Sequence, residues 1–131
     1  YFDNVIPDSY NDCITNVPSD RNTYLHFVKN ATIVISTNGF GGSIPWKLAE
    51  YFQLGKCVIS EKLVHSTQNP IINGVHLRIF NNIDECISIV KKLLKNKDIV
   101  KELEKHSKQY FIDYIRPEMA LKTLILNAFS E

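Results

Sequence analysis

The hydrophobic and polar positions along the chain predict buried strands that alternate with amphipathic helices. Residues 31–37 (ATIVIST) are a largely β-branched run of strand length, which is typical of a strand buried on both faces of a parallel sheet. After a glycine-rich turn, apolar residues recur every four positions from Ile44 and predict a helix over 44–54. A second apolar strand follows over 57–60, so this segment predicts a right-handed βαβ unit.

The residues at the two ends of this helix carry capping signals. Ser43 can accept a hydrogen bond from the first-turn N–H groups, and Pro45 suits the first turn because that turn does not use its N–H. Gly55 is a natural residue for the left-handed position just past the helix. We therefore expect Ser43 to cap the helix and Gly55 to end it.

The segments on either side of the βαβ unit complete the sheet. A weakly patterned beginning with one short strand near 13–15 leads into a helix over 21–30, with Asp20 as its N-cap. A third strand is predicted over 75–80, after a polar loop that contains turn signals.

Three further helices are predicted over about 83–95, 98–115 and 117–129. At the start of the first, Asn82 and Glu85 have the spacing of a capping box. The same helix repeats apolar residues with helical spacing, and we expect this face to pack on the sheet. Its members are Ile83, Ile87, Val90 and Leu94.

Length, composition and charge limit the class of protein. With 131 residues, 44% hydrophobic and 22% charged, the chain can bury one core without disulfides or a structural metal. Its 15 basic and 14 acidic residues give a formal net charge of +1, which is too balanced for a nucleic-acid-binding protein. Together with the predicted βαβ unit, this indicates a single α/β domain over residues 1–131, with a small parallel sheet and C-terminal helices.

Cysteine usage points to a reducing compartment. Cys13, Cys57 and Cys86 are far apart, odd in number, and lack a CxxC pair or a His at metal-ligand spacing. We therefore expect a cytoplasmic protein without a metal site, in which Cys57 is a buried strand residue.

The turn between the first strand and its helix is the first candidate site. In open α/β sheets ligands bind beyond the carboxyl ends of the strands, and glycines allow the backbone to approach a ligand closely. A helix N-terminus also favours an anion such as phosphate. A glycine turn at this place is also common as a tight connection, so both interpretations stay open. The turn consists of Asn38, Gly39, Phe40, Gly41, Gly42 and Ser43.

The polar stripe along the following helix is the second candidate. Ser43, Lys47 and Glu50 have the spacing of one helix face. The stripe is either a solvated surface with a Lys–Glu pair, or the wall of a cleft in which Lys47 neutralises phosphate and Glu50 accepts ribose hydroxyls. Trp46 likewise either packs at the helix start or stacks on a base or sugar. Spacing alone does not choose between these interpretations.

The segment Ile33–Ser60 contains the pattern Pro-x-Lys-x-x-Glu-Tyr over 45–51, followed by Gly55 and a short apolar strand. This pattern resembles the donor-binding segment of GT-B glycosyltransferases, which lies in their C-terminal Rossmann-like domain. The resemblance implies a Rossmann-like three-layer α/β/α arrangement. The likeness covers about residues 24–129. It implies that Glu50 binds the ribose hydroxyls of a nucleotide sugar and that the turn over 39–43 approaches the diphosphate or the transferred sugar. The matching positions are Pro45, Lys47, Glu50, Tyr51, Gly55, Lys56, Val58 and Ile59.

One position departs from the family pattern. Many retaining members carry a second Glu eight residues before the one that matches Glu50, and this chain has Gly42 at that position. The stereochemical outcome therefore stays open, and the chain is more similar to subfamilies that have only the later Glu.

The resemblance also implies the cellular role and the partners. It describes a bacterial enzyme of polysaccharide assembly that needs no metal or cofactor and takes a nucleotide-sugar donor and a glycan acceptor. The catalytic groups stay unassigned, because the family places many of them on an N-terminal domain, which we expect upstream of Tyr1. Contact with the inner face of a membrane is left open. It would use the basic run Lys91, Lys92, Lys95 and Lys97, which otherwise forms a solvated helix face.

A second class of protein fits the same pattern. A standalone Rossmann-like or flavodoxin-like module for regulation or protein association would use the glycine turn as a connection and Lys47 and Glu50 as surface residues. An open cleft next to Glu50 would favour the enzyme, and a Glu50 paired away from any cleft would favour the module.

Overall fold

The computed structural model describes residues 17, 18 and 20–129, so the strand predicted near 13–15 lies outside it. A 3-10 turn over Phe40–Gly42 precedes the second helix, and a π turn over Phe111–Ile115 precedes the last. In chain order the elements are α1 (Arg21–Asn30), β1 (Ile33–Ser36), α2 (Trp46–Gln53), β2 (Cys57–Glu61), β3 (Arg78–Phe80), α3 (Ile83–Lys95), α4 (Lys97–Tyr110) and α5 (Pro117–Ala128).

The sheet has three parallel strands in the order β1-β2-β3. This confirms an α/β fold with a small parallel sheet. The last strand is shorter than predicted because the chain turns tightly before it: the N–H groups of Val75 and His76 both donate to the carbonyl of Ile72. Only the residues from Arg78 onward are free to pair with β2.

The central strand β2 is buried on both of its faces. Cys57 and Ile59 pack in one apolar cluster with residues of α3 and α4, whereas Val58 packs in another with residues of α1 and α2. Cys57 has no exposed surface, which confirms its predicted role as a buried strand residue. This double burial fixes the sheet register, because a shift by one residue would exchange the two faces.

The two ends of α2 differ in how well the sequence predicts them. Gly55 has a φ of +61°, and the Gly55 and Lys56 N–H groups donate to the last helix turn in the pattern of a Schellman motif, as predicted. The predicted Ser43 cap is wrong. The helix begins at Trp46, Pro45 is the extended residue before it, and no side chain caps it. The Ser43 carbonyl instead accepts from the Gly39 N–H at 2.8 Å and closes the turn.

The predicted core face of α3 is wrong at three of its four residues, and only Val90 packs against the core as predicted. The helix buries Ile89 and Leu93 against the sheet, and it exposes Ile83, Ile87 and Leu94. Its predicted N-cap is confirmed, because the Asn82 side chain accepts from the Glu85 N–H at 2.9 Å. Asp20 caps α1 in the same way.

The C-terminal part ends in a helix that contacts little of the fold. No residue of α5 is buried, although Pro117 occupies its first turn as predicted. Among the helices of the described residues, none combines the length and the apolar character that a membrane span requires.

Candidate functional site

The glycine turn and the end of β1 form a cavity at the predicted edge of the sheet. This cavity, the turn cavity, has a volume of about 430 Å³ and lies between the last residues of β1, the turn and the start of α2. Five of the predicted site residues line this cavity: Asn38, Gly39, Phe40, Ser43 and Lys47. The other predicted site residues, Gly41, Gly42 and Glu50, do not line it.

Hydrogen bonds from the neighbouring strand hold this turn in place. The backbone N–H of Asn38 donates to a carboxylate oxygen of Glu61 at 2.8 Å, and the Asn38 side-chain amide donates to the Lys62 carbonyl at 3.0 Å. Glu61 is the last residue of β2, which lies beside β1 in the sheet. Sequence reasoning predicted this pair of strands but missed Glu61, which lies one residue beyond the predicted end of the second strand.

Two buried polar atoms at the end of β1 lack a hydrogen-bond partner among the described residues. They are the Ser36 hydroxyl, whose residue is only 3% exposed, and the Asn38 side-chain carbonyl oxygen. Both residues line the turn cavity. An unsatisfied buried polar group costs about 1–3 kcal/mol, and neither of these atoms is exposed to the cavity while the turn keeps this conformation. Ser36 was not predicted as a site residue.

The backbone of the turn explains why position 42 carries no large side chain. Gly41 and Gly42 have φ angles of +63° and +78°, a region that L residues other than glycine rarely adopt. A Cβ on Gly42 would also lie 3.2 Å from a methyl carbon of Val64. The glutamate that many GT-B members have at this place would therefore need a different turn.

A second cavity adjoins the first on the other side of Trp46. This aromatic cavity has a volume of about 700 Å³ and lies between α1 and the start of α2. Its walls are mostly apolar, and Arg21 and Lys47 supply two cations. Trp46 and Lys47 line both cavities. The apolar walls consist of Val17, Pro18, Tyr24, Phe27 and Trp46.

Glu50 pairs with α1 and not with Lys47. One of its carboxylate oxygens lies 2.5 Å from an Arg21 guanidinium nitrogen, and the Glu50 side chain is 14% exposed. The other oxygen is buried and has no partner among the described residues. Burial next to Tyr51 and Glu50 raises the pKa of the Tyr24 phenol well above its usual value. Glu50 lines neither cavity, but its partner Arg21 lines the aromatic cavity.

The charges around the two cavities favour an anionic ligand. Lys47 is exposed where the cavities meet, and the Trp46 and Lys47 N–H groups in the first turn of α2 have no hydrogen-bond partner among the described residues. Within the described residues, no three His, Cys, Asp or Glu side chains are grouped as metal ligands.

No protein-family model matches the sequence, and no curated protein matches it either. The glycosyltransferase resemblance therefore stays a prediction.

Proposed function

We propose that the chain is the donor-binding domain of a GT-B-type glycosyltransferase, with a three-layer Rossmann-like arrangement. The observation that supports this is the junction of a polar cavity and an aromatic cavity at Trp46 and Lys47. A nucleotide sugar has the same order of chemical groups, with a flat base at one end, a diphosphate in the middle and a polar sugar at the other end. The ligand is held across both cavities.

Each part of the donor has a matching set of residues. The base stacks on the aromatic side chains around Trp46, because base–aromatic stacking contributes about 1–3 kcal/mol per base. The diphosphate lies near Lys47 and the first turn of α2. The sugar enters the turn cavity, which is lined by the polar residues Ser36, Asn38 and Ser43.

The transfer reaction needs more than this chain. The glycan acceptor site and the catalytic groups belong to the N-terminal domain that the resemblance implies. The isolated chain therefore binds the donor and does not transfer the sugar. The proposed setting is the cytoplasm of a bacterium, in polysaccharide assembly, without a metal or cofactor.

Calorimetric titration and thermal shift with UDP, GDP, ADP and inorganic pyrophosphate test this proposal. We expect one nucleoside diphosphate to bind more tightly than pyrophosphate and to raise the Tm. Lys47→Ala should weaken its binding about tenfold, whereas Lys101→Ala, which removes an exposed lysine of α4, should not. The absence of binding by every nucleotide at millimolar concentration would contradict the proposal.

The role of Glu50 needs a separate test, because this carboxylate is occupied by Arg21. In the proposed complex Arg21 turns toward the ligand and Glu50 accepts the ribose hydroxyls. Glu50→Ala should then weaken the ribonucleotide about tenfold and leave the 2′,3′-dideoxyribonucleotide and pyrophosphate nearly unchanged. Equal losses for all three ligands would exclude the ribose role.

The Arg21–Glu50 pair also favours the second candidate, a Rossmann-like module for regulation or protein association. In such a module the pair only joins α1 to α2, as a structural contact. Arg21→Ala would then lower the free energy of unfolding. If any nucleotide binds the chain weakly, its affinity would stay unchanged.

A further inference from the structure

Helix α3 carries more apolar residues than the fold buries. Ile89 and Leu93 pack against the sheet. A second stripe on the same helix is formed by Ile83, Ile87 and Leu94, which are 77%, 46% and 58% exposed. These three residues are spaced by four and seven positions, so they lie in one line along the helix.

Two lysines border this exposed stripe on the side away from the sheet. Lys91 and Lys95 follow Ile87 by four and eight positions, and both line a shallow cavity of about 490 Å³ on the helix. Neither lysine forms an ion pair with another described residue. Asp84 is the one acidic residue that lines this cavity. It lies on the same helix face, seven positions before Lys91, and three lysines that line the cavity (Lys91, Lys92 and Lys95) outnumber it.

We propose that this α3 surface, defined by Ile83, Ile87, Leu94, Lys91 and Lys95, binds an anionic lipid bilayer. The helix lies in the plane of the membrane surface, with its exposed apolar side chains in the boundary between headgroups and acyl chains and its lysines at the lipid phosphates. The inference does not depend on the identity of the donor ligand.

The lysines of α3 distinguish this helix from the other helices that expose apolar residues, and they favour an anionic lipid as its partner. Helix α5 exposes more apolar surface, but it carries one lysine and one glutamate, so no charge on it favours an anionic bilayer. Helix α4 carries exposed lysines, but Ile99 is the one large apolar residue that it exposes. Only α3, among the described helices, combines an exposed apolar stripe with a row of unpaired lysines.

Co-sedimentation of the full chain with vesicles tests the proposal. We expect binding to vesicles of phosphatidylglycerol and phosphatidylcholine in equal parts, and little binding to phosphatidylcholine alone. Ile87→Ser with Leu94→Ser should weaken binding at least about tenfold. Lys91→Gln with Lys95→Gln should have a similar effect, because each lysine near an anionic surface contributes about fivefold.

Matched variants locate the contact on α3. Leu124→Ser on α5 and the pair Lys101→Gln with Lys105→Gln on α4 should leave the vesicle affinity unchanged. The proposal is overturned if the intact chain does not bind anionic vesicles, if it binds neutral vesicles equally well, or if the α5 or α4 variants lose binding as the α3 variants do. It is also overturned if analytical ultracentrifugation shows a dimer that Leu94→Ser dissociates, since a second copy would then cover this surface.

Discussion

Two glycines, Gly41 and Gly42, allow the glycine turn to adopt its backbone conformation. Gly41 and Gly42 share a positive φ, but only Gly42 faces a close neighbour, Val64. This pair therefore separates the effect of the backbone conformation from the effect of crowding.

We expect Gly41→Ala to lower the free energy of unfolding by about 1 kcal/mol, because alanine adopts this φ with strain. Gly42→Ala should lower it further, because its Cβ also presses on Val64 at 3.2 Å and this side chain has to move. Urea denaturation measures both values. With Val64→Ala as the background, the difference between the two glycine variants should nearly disappear, and a difference that persists would show that Val64 is not the cause.

His76, in the loop after β2, makes the stability of the fold depend on pH. His76 accepts a hydrogen bond from the Ile72 N–H through its Nδ1 atom and packs on Tyr110. Burial, together with the charge of His106, lowers the pKa of His76. The unfolded chain therefore binds this proton more readily than the folded chain does.

The lowered pKa of His76 predicts a loss of stability in mild acid. The stabilising contribution is complete above the usual histidine pKa of about 6.5 and is lost as the pH falls from there through the folded-state pKa. Urea denaturation at neutral and mildly acidic pH should show this loss. His76→Asn keeps an acceptor near the Ile72 N–H without the titration, so its stability should fall less over the same range. An unchanged slope would assign the acid sensitivity to other groups.

At the scale of elements, the ends of helices could be predicted better than their buried faces. Asp20, Asn82 and Gly55 act through hydrogen bonds to residues at most four positions away, so the local sequence contains the whole interaction. The buried face of α3 depends on where the sheet and α4 lie. Because α3 has two apolar stripes, periodicity could not tell which one faces the core.

The adjacent leucines of α3 test this assignment. Leu93 is buried and Leu94 is exposed, although the apolar repeat alone favoured Leu94 as the core residue. Leu93→Ala should lower the free energy of unfolding by about 2–5 kcal/mol, because it leaves a cavity in the core. Leu94→Ala should change it by less than about 0.5 kcal/mol. Equal effects of the two variants in urea denaturation would contradict the observed orientation, in which Leu93 faces the core and Leu94 faces outward.

At the scale of the whole molecule, the place of the turn cavity could be predicted, but not all of the residues that surround it and the aromatic cavity. A strand, a glycine turn and a helix in one continuous segment located the turn cavity at the sheet edge. Glu61 and Arg21 come from elements that meet this segment only after folding, and their contacts span 23 and 29 positions in the sequence. Such contacts leave no local pattern for sequence reasoning to detect.

The proposed ligand position makes a prediction about the whole molecule. A nucleoside diphosphate that spans both cavities should slow amide hydrogen exchange in α1, in the turn over 38–43 and at the start of α2 together, because binding stabilises the parts it contacts against local opening. Inorganic pyrophosphate should protect only the turn and the start of α2, since it lacks the base that contacts α1. The amides of α4 serve as the internal reference. Equal protection by the two ligands would mean that the aromatic cavity does not hold the base.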